Sequence, residues 1–451
     1  MVHCYKLNGY NIIIDVYSGS VHVTDDLSFE LIKNYENSED LINYAKKRFP
    51  KESESDIKEC ISEIEQLKKD GVLFSENPLD KFTFPKKSKT IKALCLHIAH
   101  SCNLVCEYCF AAQGKFKGEE ALMSFDVAKR VIDFLIENSG SHYNLEVDFF
   151  GGEPLLNFDV VKQTVEYARS IEKEKNKNFR FTLTTNGVLL TDEIIDYLNE
   201  NMYNVVLSLD GRPEIHNHFR KNANGRGSYD ISVKNFKKLV EKRKGKNYYI
   251  RGTFTHLNPD FLNDIKHMVN LGFDKLSMEP VVSEKDYAYA LTDKDKKIVL
   301  QNYEELANYM LKQEKLGKKL EFYHYNIDLK NGPCLQKRLK GCGSGSEYFA
   351  VTPNGDLYPC HQFVSDKDFK MGNIWSGIDN SKKYDDFLTN DLSKKKECED
   401  CFAKLYCAGG CAANAYHSTK DINGIYEDGC DLFKKRIESA IMMQVDRQFN
   451  Q

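Results

Sequence analysis

Three cysteines, Cys102, Cys106 and Cys109, fall within eight positions in the run "CNLVCEYCF". A structural zinc site closes a tetrahedron with four ligands, and this run offers no fourth cysteine. Three thiolates instead suit a [4Fe-4S] cluster with one iron left without a protein ligand, and an open iron is a binding site. A second group lies near the end of the chain. "CEDCFAKLYCAGGC" supplies Cys398, Cys401, Cys407 and Cys411, with Cys430 19 positions further on. Upstream stand Cys342 and Cys360, the latter closing "GDLYPC" with Gly355 five residues before it. Four thiolates at such spacing hold iron-sulfur clusters or, as the rival, a zinc knuckle.

The rest of the composition agrees with metal or redox use. Basic and acidic side chains, 63 against 67, leave a formal charge of only -4, so nothing draws nucleic acid electrostatically. No stretch approaches 18 consecutive apolar residues, and "MVHCYKLNGYNIIIDVYSG" lacks the apolar run and cleavage site of a secretory signal. A soluble cytoplasmic protein with no membrane partner is therefore expected. In that reducing compartment the 14 cysteines are poor candidates for disulfides. Cys4, Cys60 and Cys95, outside the clusters, read as ordinary thiols.

The elements that must position these groups follow from periodicity. Residues 1–85 read as a hairpin across Ser18-Gly19, then two helical patterns, then a polar linker "SENPLDKFTFPKKSKT". From 86 to about 310, "IKALCLHIA", "LEVDFFGG", "FRFTLTTNG", "NVVLSLDG", "YYIRGTFTH" and "KLSMEPVV" alternate with amphipathic stretches such as "SFDVAKRVIDFLIENS". That alternation predicts an α/β fold with six parallel strands, a partial (β/α)6 barrel, with ligands at the carboxyl ends of the strands. Residues 311–340 bridge to a Cys-, Gly- and Pro-rich segment, 341–451, which closes with the helical pattern "CDLFKKRIESAIMMQVDRQF".

"CNLVCEYCF" after the first barrel strand, with Tyr108 before its last cysteine, resembles the signature of radical S-adenosylmethionine (SAM) enzymes. The resemblance implies that SAM occupies the open iron and is cleaved by an electron from the cluster to a 5′-deoxyadenosyl radical. A reducing donor such as a flavodoxin or ferredoxin would supply that electron. "GGEP" resembles the segment that receives the methionine amino group, which carries Gly152 and Glu153 over. "TTNG" and "SLDG" likewise carry Asn186 and Ser208 to the ribose and carboxylate. "HNHFRKNANGRGSYD" makes Arg220 a carboxylate partner, and a weaker match sets the Leu276 backbone beside adenine. The later cysteines resemble the SPASM extension of this family, which implies two auxiliary [4Fe-4S] clusters, three clusters in all. Cys398, Cys401, Cys407 and Cys430 would hold the outer one. Cys342, Cys360 and Cys411 would hold the inner one, with Cys334 or a substrate thiolate as its last ligand.

Residues 1–85 resemble the winged-helix-like leader-binding module of enzymes that modify ribosomally made peptides, and "KLNGYNIIIDVYSGSVHV" resembles maturases of the SCIFF type. These resemblances imply a cysteine-rich precursor peptide, bound through its leader, in which cysteine sulfur is joined to an α-carbon as a thioether. Alternatives within the class are carbon-carbon crosslinking and sulfatase-type formylglycine formation. Sulfatase-type enzymes carry Asp after the cysteine matched by Cys360, where this chain has His361. Outside the class, a nonenzymatic iron-sulfur scaffold would leave the SAM segments without a purpose.

Overall fold

Asn8 and Gly9 both take left-handed backbone angles, with φ of 53° and 81°. They fold a first strand, β1 (Val2–Leu7), back onto β2 (Tyr10–Asp15), which pairs in turn with β3 (Val21–Thr24). The sequence reading expects one hairpin across Ser18-Gly19; it is present, and β1 is an additional strand. In this computed structural model, residues 1–81, 89–116, 118, 120–329 and 338–450 are described. The middle of the expected linker and Cys334 lie outside them.

Three helices follow where two are expected, because the first pattern divides: α1 (Asp26–Asn34), α2 (Leu41–Arg48) and α3 (Glu54–Lys69). Each begins at a side-chain cap, Asp25, Asp40 or Ser53, which accepts an otherwise unsatisfied backbone N–H. The small sheet has two faces, as a period of two requires. Ile13 packs with Phe29, Leu31, Ile32, Ile57 and Ile64 beneath the helices. Ile12 and Ile14 point the other way, into the main core.

The six expected parallel strands are all present: β4 (Ala93–His100), β6 (Asn144–Gly151), β7 (Asn178–Thr185), β8 (Asn204–Ser208), β9 (Tyr248–Phe254) and β10 (Lys275–Pro280), with a short β5 (Ala121–Leu122) beside the end of β4. Between and after them run α4 (Phe125–Asn138), α5 (Phe158–Lys175), α6 (Asp192–Asn201), α7 (Pro213–Phe219), α8 (Tyr229–Arg243), α9 (Phe261–Asn270) and α10 (Asp293–Lys315). Fully buried Phe149, Phe179, Phe181 and Leu183 face the helices, each contributing about 1.5–3 kcal/mol by burial. The alternate residues, among them Asp148, Phe150, Thr182 and Thr184, line the inside of the sheet.

The sheet stays open, so the barrel is partial. At one edge β11 (Glu321–Phe322) adds to β10 in parallel. At the other, β12 (Tyr348–Val351) pairs in parallel with β4, Tyr348 opposite Ala93, and β13 (Asp356–Tyr358), β14 (Gly372–Asn373) and β15 (Gly377–Ile378) continue antiparallel. The cysteine-rich segment thus extends the barrel's own sheet. It then forms α11 (Ser381–Leu388), α12 (Lys404–Cys407), α13 (Ala412–Thr419) and the long α14 (Glu427–Phe449). α14 lies on α10 through Lys435–Glu304 at 2.7 Å and Arg447 Nε–Glu314 at 3.0 Å. It also holds the N-terminal sheet, where Glu438 takes His3 at 2.9 Å and Tyr5 at 3.0 Å, while His3 stacks on Phe402 at 3.6 Å. Among the described residues no helix is long and apolar enough to cross a membrane.

Candidate functional site

The loop that carries Cys102, Cys106 and Cys109 leaves the carboxyl end of β4 and winds back in turns, with the Cys109 amide donating to the Cys106 carbonyl at 3.2 Å. The three sulfurs are electrostatic neighbours. Burial pushes the Cys102 thiol up to about 12 and that of Cys106 up to about 11, and each neighbouring thiolate adds to the cost of ionising. A donor set of three half-buried thiols suits, by its chemistry, a group that binds thiolate strongly, as iron-sulfur clusters do; as placed, the described residues form no group of three or more His, Cys, Asp or Glu side chains that could hold a metal ion.

The next strand end closes over this loop. Gly152 donates to Ala99 O at 2.8 Å, and a Cβ on Gly152 would lie 2.0 Å from Ser101 O and 3.0 Å from Gly114 Cα. Only a glycine lets the two backbones approach so closely. Glu153, buried, accepts from Leu155 N at 3.1 Å, Thr185 Oγ1 at 2.8 Å and Asn186 N at 2.8 Å. Burial raises its carboxyl to about 7 against those donors. Asn186 reaches from the end of β7: its Nδ2 donates to Asn103 Oδ1 at 2.7 Å and lies 3.8 Å from Cys102 Sγ. Asn103 Nδ2 is buried with no partner, a donor left for a ligand at this rim.

Asp210, two residues past β8, ties the other side together. It accepts from Arg220 Nε at 2.9 Å, Arg220 Nη2 at 3.2 Å and Thr253 N at 3.0 Å, and from the Tyr108 hydroxyl. Burial works against its charge, but the Arg220 guanidinium outweighs it and holds the carboxyl below its ordinary range. Two of Arg220's donors are thus committed to a protein carboxylate, and its guanidinium lies 5.6 Å from the Tyr108 ring. Ser208 sits at the carboxyl end of β8, in register with Arg251. Leu276 is fully buried in the sheet wall, the second residue of β10, paired with Ile250 and Phe322 rather than at a strand end.

The later cysteines gather in one region, and Cys411 shares a cavity with Cys398, Cys401, Cys407 and Cys430. Cys360, buried, has Cys411 and Cys342 as neighbours. Cys398, Cys401, Cys407 and Cys430 neighbour one another and line a common cavity of about 200 Å3 with Cys411, Glu279 and Arg436. Burial pushes the Cys407 thiol up to about 12, with Cys430 and Cys398 adding to it. His361, next to Cys360, lies between the rings of Phe110 at 5.3 Å and Phe150 at 5.1 Å, both tilted against it, and burial lowers it to about 4.

Sequence reasoning missed several residues at the site. Asp210 was in plain view within "SLDG". Asn103 lies inside the cysteine motif itself. The buried pair His97 and His100, 3.0 Å apart, becomes visible only through the irregularity between His97 and Ala99 where β4 meets β6.

Residues 96–271 match the model of the radical SAM superfamily, and residues 342–402 match the SPASM iron-sulfur cluster-binding domain. Over 375 residues the chain is 25% identical to a cysteine-type anaerobic sulfatase-maturating enzyme of Clostridium novyi, covering 78% of this chain and 96% of that protein. It is 21% identical over 474 residues to the radical SAM cyclopropyl synthase TigE of Paramaledivibacter caminithermalis, covering 96% of this chain and 93% of the relative. Among solved structures, native anSMEcpe with bound AdoMet and Kp18Cys peptide superposes with a TM-score of 0.65 at 24% identity, over 80% of this chain and 99% of the other.

Proposed function

Because the chain belongs to the radical SAM superfamily and carries a SPASM iron-sulfur domain, we propose that it is a peptide maturase that closes thioether links from cysteine sulfur to α-carbons. Cys102, Cys106 and Cys109 hold the SAM-binding cluster; Cys398, Cys401, Cys407 and Cys430 hold an outer auxiliary cluster, and Cys342, Cys360 and Cys411 an inner one. Bound there, SAM and the clusters supply a 5′-deoxyadenosyl radical and an acceptor for the electron that leaves as sulfur closes on carbon. Glu153, Asn186 and Ser208 orient SAM from three successive strand ends. Asp210 fixes Arg220 and Tyr108 against the cluster loop. Gly152 keeps that loop pressed to the barrel.

The reading divides the chain into a leader-binding module (1–85), the barrel (86–310), a bridge (311–340) and the auxiliary-cluster domain (341–451). The observation that carries the peptide substrate is the N-terminal sheet. β1 is fastened to α14 and Phe402, whereas β3 is the opposite edge of the order β1-β2-β3, with all four of its residues half-buried. An open edge takes an extended peptide as a further strand, and tethering the leader raises the effective concentration of the rest at the barrel. The sulfatase-maturating relative leaves about a fifth of this chain unmatched, whereas TigE spans nearly all of it. That supports an added recognition module.

Sulfatase-type oxidation is the second reading, favoured by the sulfatase-maturating relatives. His361 stands after Cys360 where sulfatase-type enzymes carry Asp, and burial lowers it to about 4, which makes it a weak base and weighs against this reading. Mass spectrometry of a cysteine-rich peptide encoded beside this gene, coexpressed with the enzyme, separates the two. Thioether closure removes two hydrogens per link and leaves no aldehyde. An aldehyde formed on a sulfatase peptide, with no change in the cysteine-rich one, would replace the first reading by the second.

A further inference from the structure

Along β9 the buried residues Tyr248, Ile250 and Phe254 pack outward among the helices, which turns Tyr249, Arg251 and Thr253 to the inner face of the sheet. Arg251 is exposed on that face. It lies opposite Ser208, the last residue of β8, on one side and Ser277 of β10 on the other. Among the described residues its guanidinium enters no hydrogen bond or ion pair. The carboxylate two residues past Ser277, Glu279, is already matched: Arg436 Nη2 lies 3.4 Å and His324 Nε2 3.2 Å from its oxygens. Arg436 also gives its Nε to the Tyr303 hydroxyl at 2.8 Å, so the core fixes that match. Tyr249, two residues before Arg251, gives its hydroxyl to Glu321. Arg251 is left as a free donor between the residue that orients SAM in the reading above, Ser208, and Glu279, which lines the cavity shared with Cys411.

A guanidinium only donates, through a planar fork of N–H groups that matches carboxylate and carbonyl oxygens. Covering such a cation with a ligand displaces its water, which costs free energy unless the ligand brings an acceptor. We propose that Arg251 grips an oxygen of the peptide substrate, on a main-chain carbonyl or an acidic side chain, and so sets which residue of the peptide stops beside SAM. This rests on the peptide reading of the substrate. Arg251 binds and orients the chain and takes no proton or electron.

The test is steady-state kinetics of the reconstituted full chain with the cysteine-rich peptide encoded beside this gene, in wild type, Arg251→Met and Arg251→Lys. Arg251→Met should raise the KM for the peptide about tenfold, the loss expected for one hydrogen bond to a charged group. Arg251→Lys should recover part of that loss, and SAM affinity and circular dichroism should match wild type in both variants. A second peptide, with Asp and Glu outside the leader replaced by Asn and Gln, separates the two kinds of oxygen. An equal KM rise with wild type, and no further rise with Arg251→Met, assigns the contact to an acidic side chain. An unchanged KM with wild type assigns it to a main-chain carbonyl. The same peptide KM in wild type and Arg251→Met would overturn the proposal. So would a loss of SAM affinity with the peptide KM unmoved, which would give Arg251 to the carboxylate of SAM. Wild-type enzyme that cleaves SAM but leaves the peptide unmodified would remove the peptide reading, and this proposal with it.

Discussion

Arg220 grips Asp210 through two hydrogen bonds, of 2.9 Å and 3.2 Å, at a depth where Asp210 is fully buried. The pair stands directly behind the cysteine loop, since the Val105 amide donates to Lys221 O at 2.7 Å and the Glu107 amide to Phe219 O at 3.3 Å. Removing one member of such a pair strands the other charge, which typically costs about 3–5 kcal/mol. Asp210→Asn should therefore lower the thermal midpoint and weaken SAM binding together. Calorimetry and SAM titration check this; an Asp210→Asn protein with unchanged SAM affinity would show that the pair does not support the site.

The approach of Gly152 to Ser101 makes a sharper local prediction. Gly152→Ala drives a methyl to within 2.0 Å of a carbonyl oxygen, and backbone on both sides must give. The three-thiol site should lose its iron, about four atoms per chain, while the auxiliary sites keep theirs. Iron analysis with circular dichroism decides it; full iron content would contradict the close-approach explanation of this glycine.

Inside the barrel, burial and then Glu146 push the Asp148 carboxyl up to about 7 from 3.8. A raised folded value gives stability that is fully present below 3.8 and is lost as pH rises through about 7, because the unfolded chain ionises first. The expected loss is on the order of 2–4 kcal/mol. Asp148→Asn lacks this titration, so its thermal midpoint should gain on wild type between pH 5 and pH 8. Parallel midpoints across that range would contradict the assignment.

For the N-terminal sheet, removing residues 1–85 is a blunt test, because Tyr5, Leu7, Ile12 and Ile14 belong to the main core. Val23→Pro, on β3, is a narrower change at the open edge, although Val23 also packs against the main core. It should reduce leader-peptide binding at least tenfold in fluorescence anisotropy while SAM cleavage by the reduced enzyme stays within twofold. Equal leader binding would place the peptide elsewhere.

Much of this was legible in the sequence because the signals were local. Cysteine spacing pointed to the radical SAM and SPASM segments, and apolar runs alternating with helical patterns set the six parallel strands. The Asn8-Gly9 turn carried an equally local signal for β1, but the strand before it alternates poorly, with Val2, His3 and Cys4 all half-buried. What stayed hidden depends on distant pairing. Tyr348 joining Ala93, Asp210 engaging both Tyr108 and Arg220, and Lys395 burying its charge against Gly409 each require the folded chain. No short window of sequence contains both Tyr348 and Ala93, or both Asp210 and Tyr108.

The proposed cluster at Cys102, Cys106 and Cys109, with one iron open to SAM, is tested most directly by electron paramagnetic resonance of the dithionite-reduced protein with and without SAM. One cluster signal should change its g-values when SAM is added, and that response should vanish in Cys106→Ala. A reduced spectrum indifferent to SAM would contradict the assignment of this site.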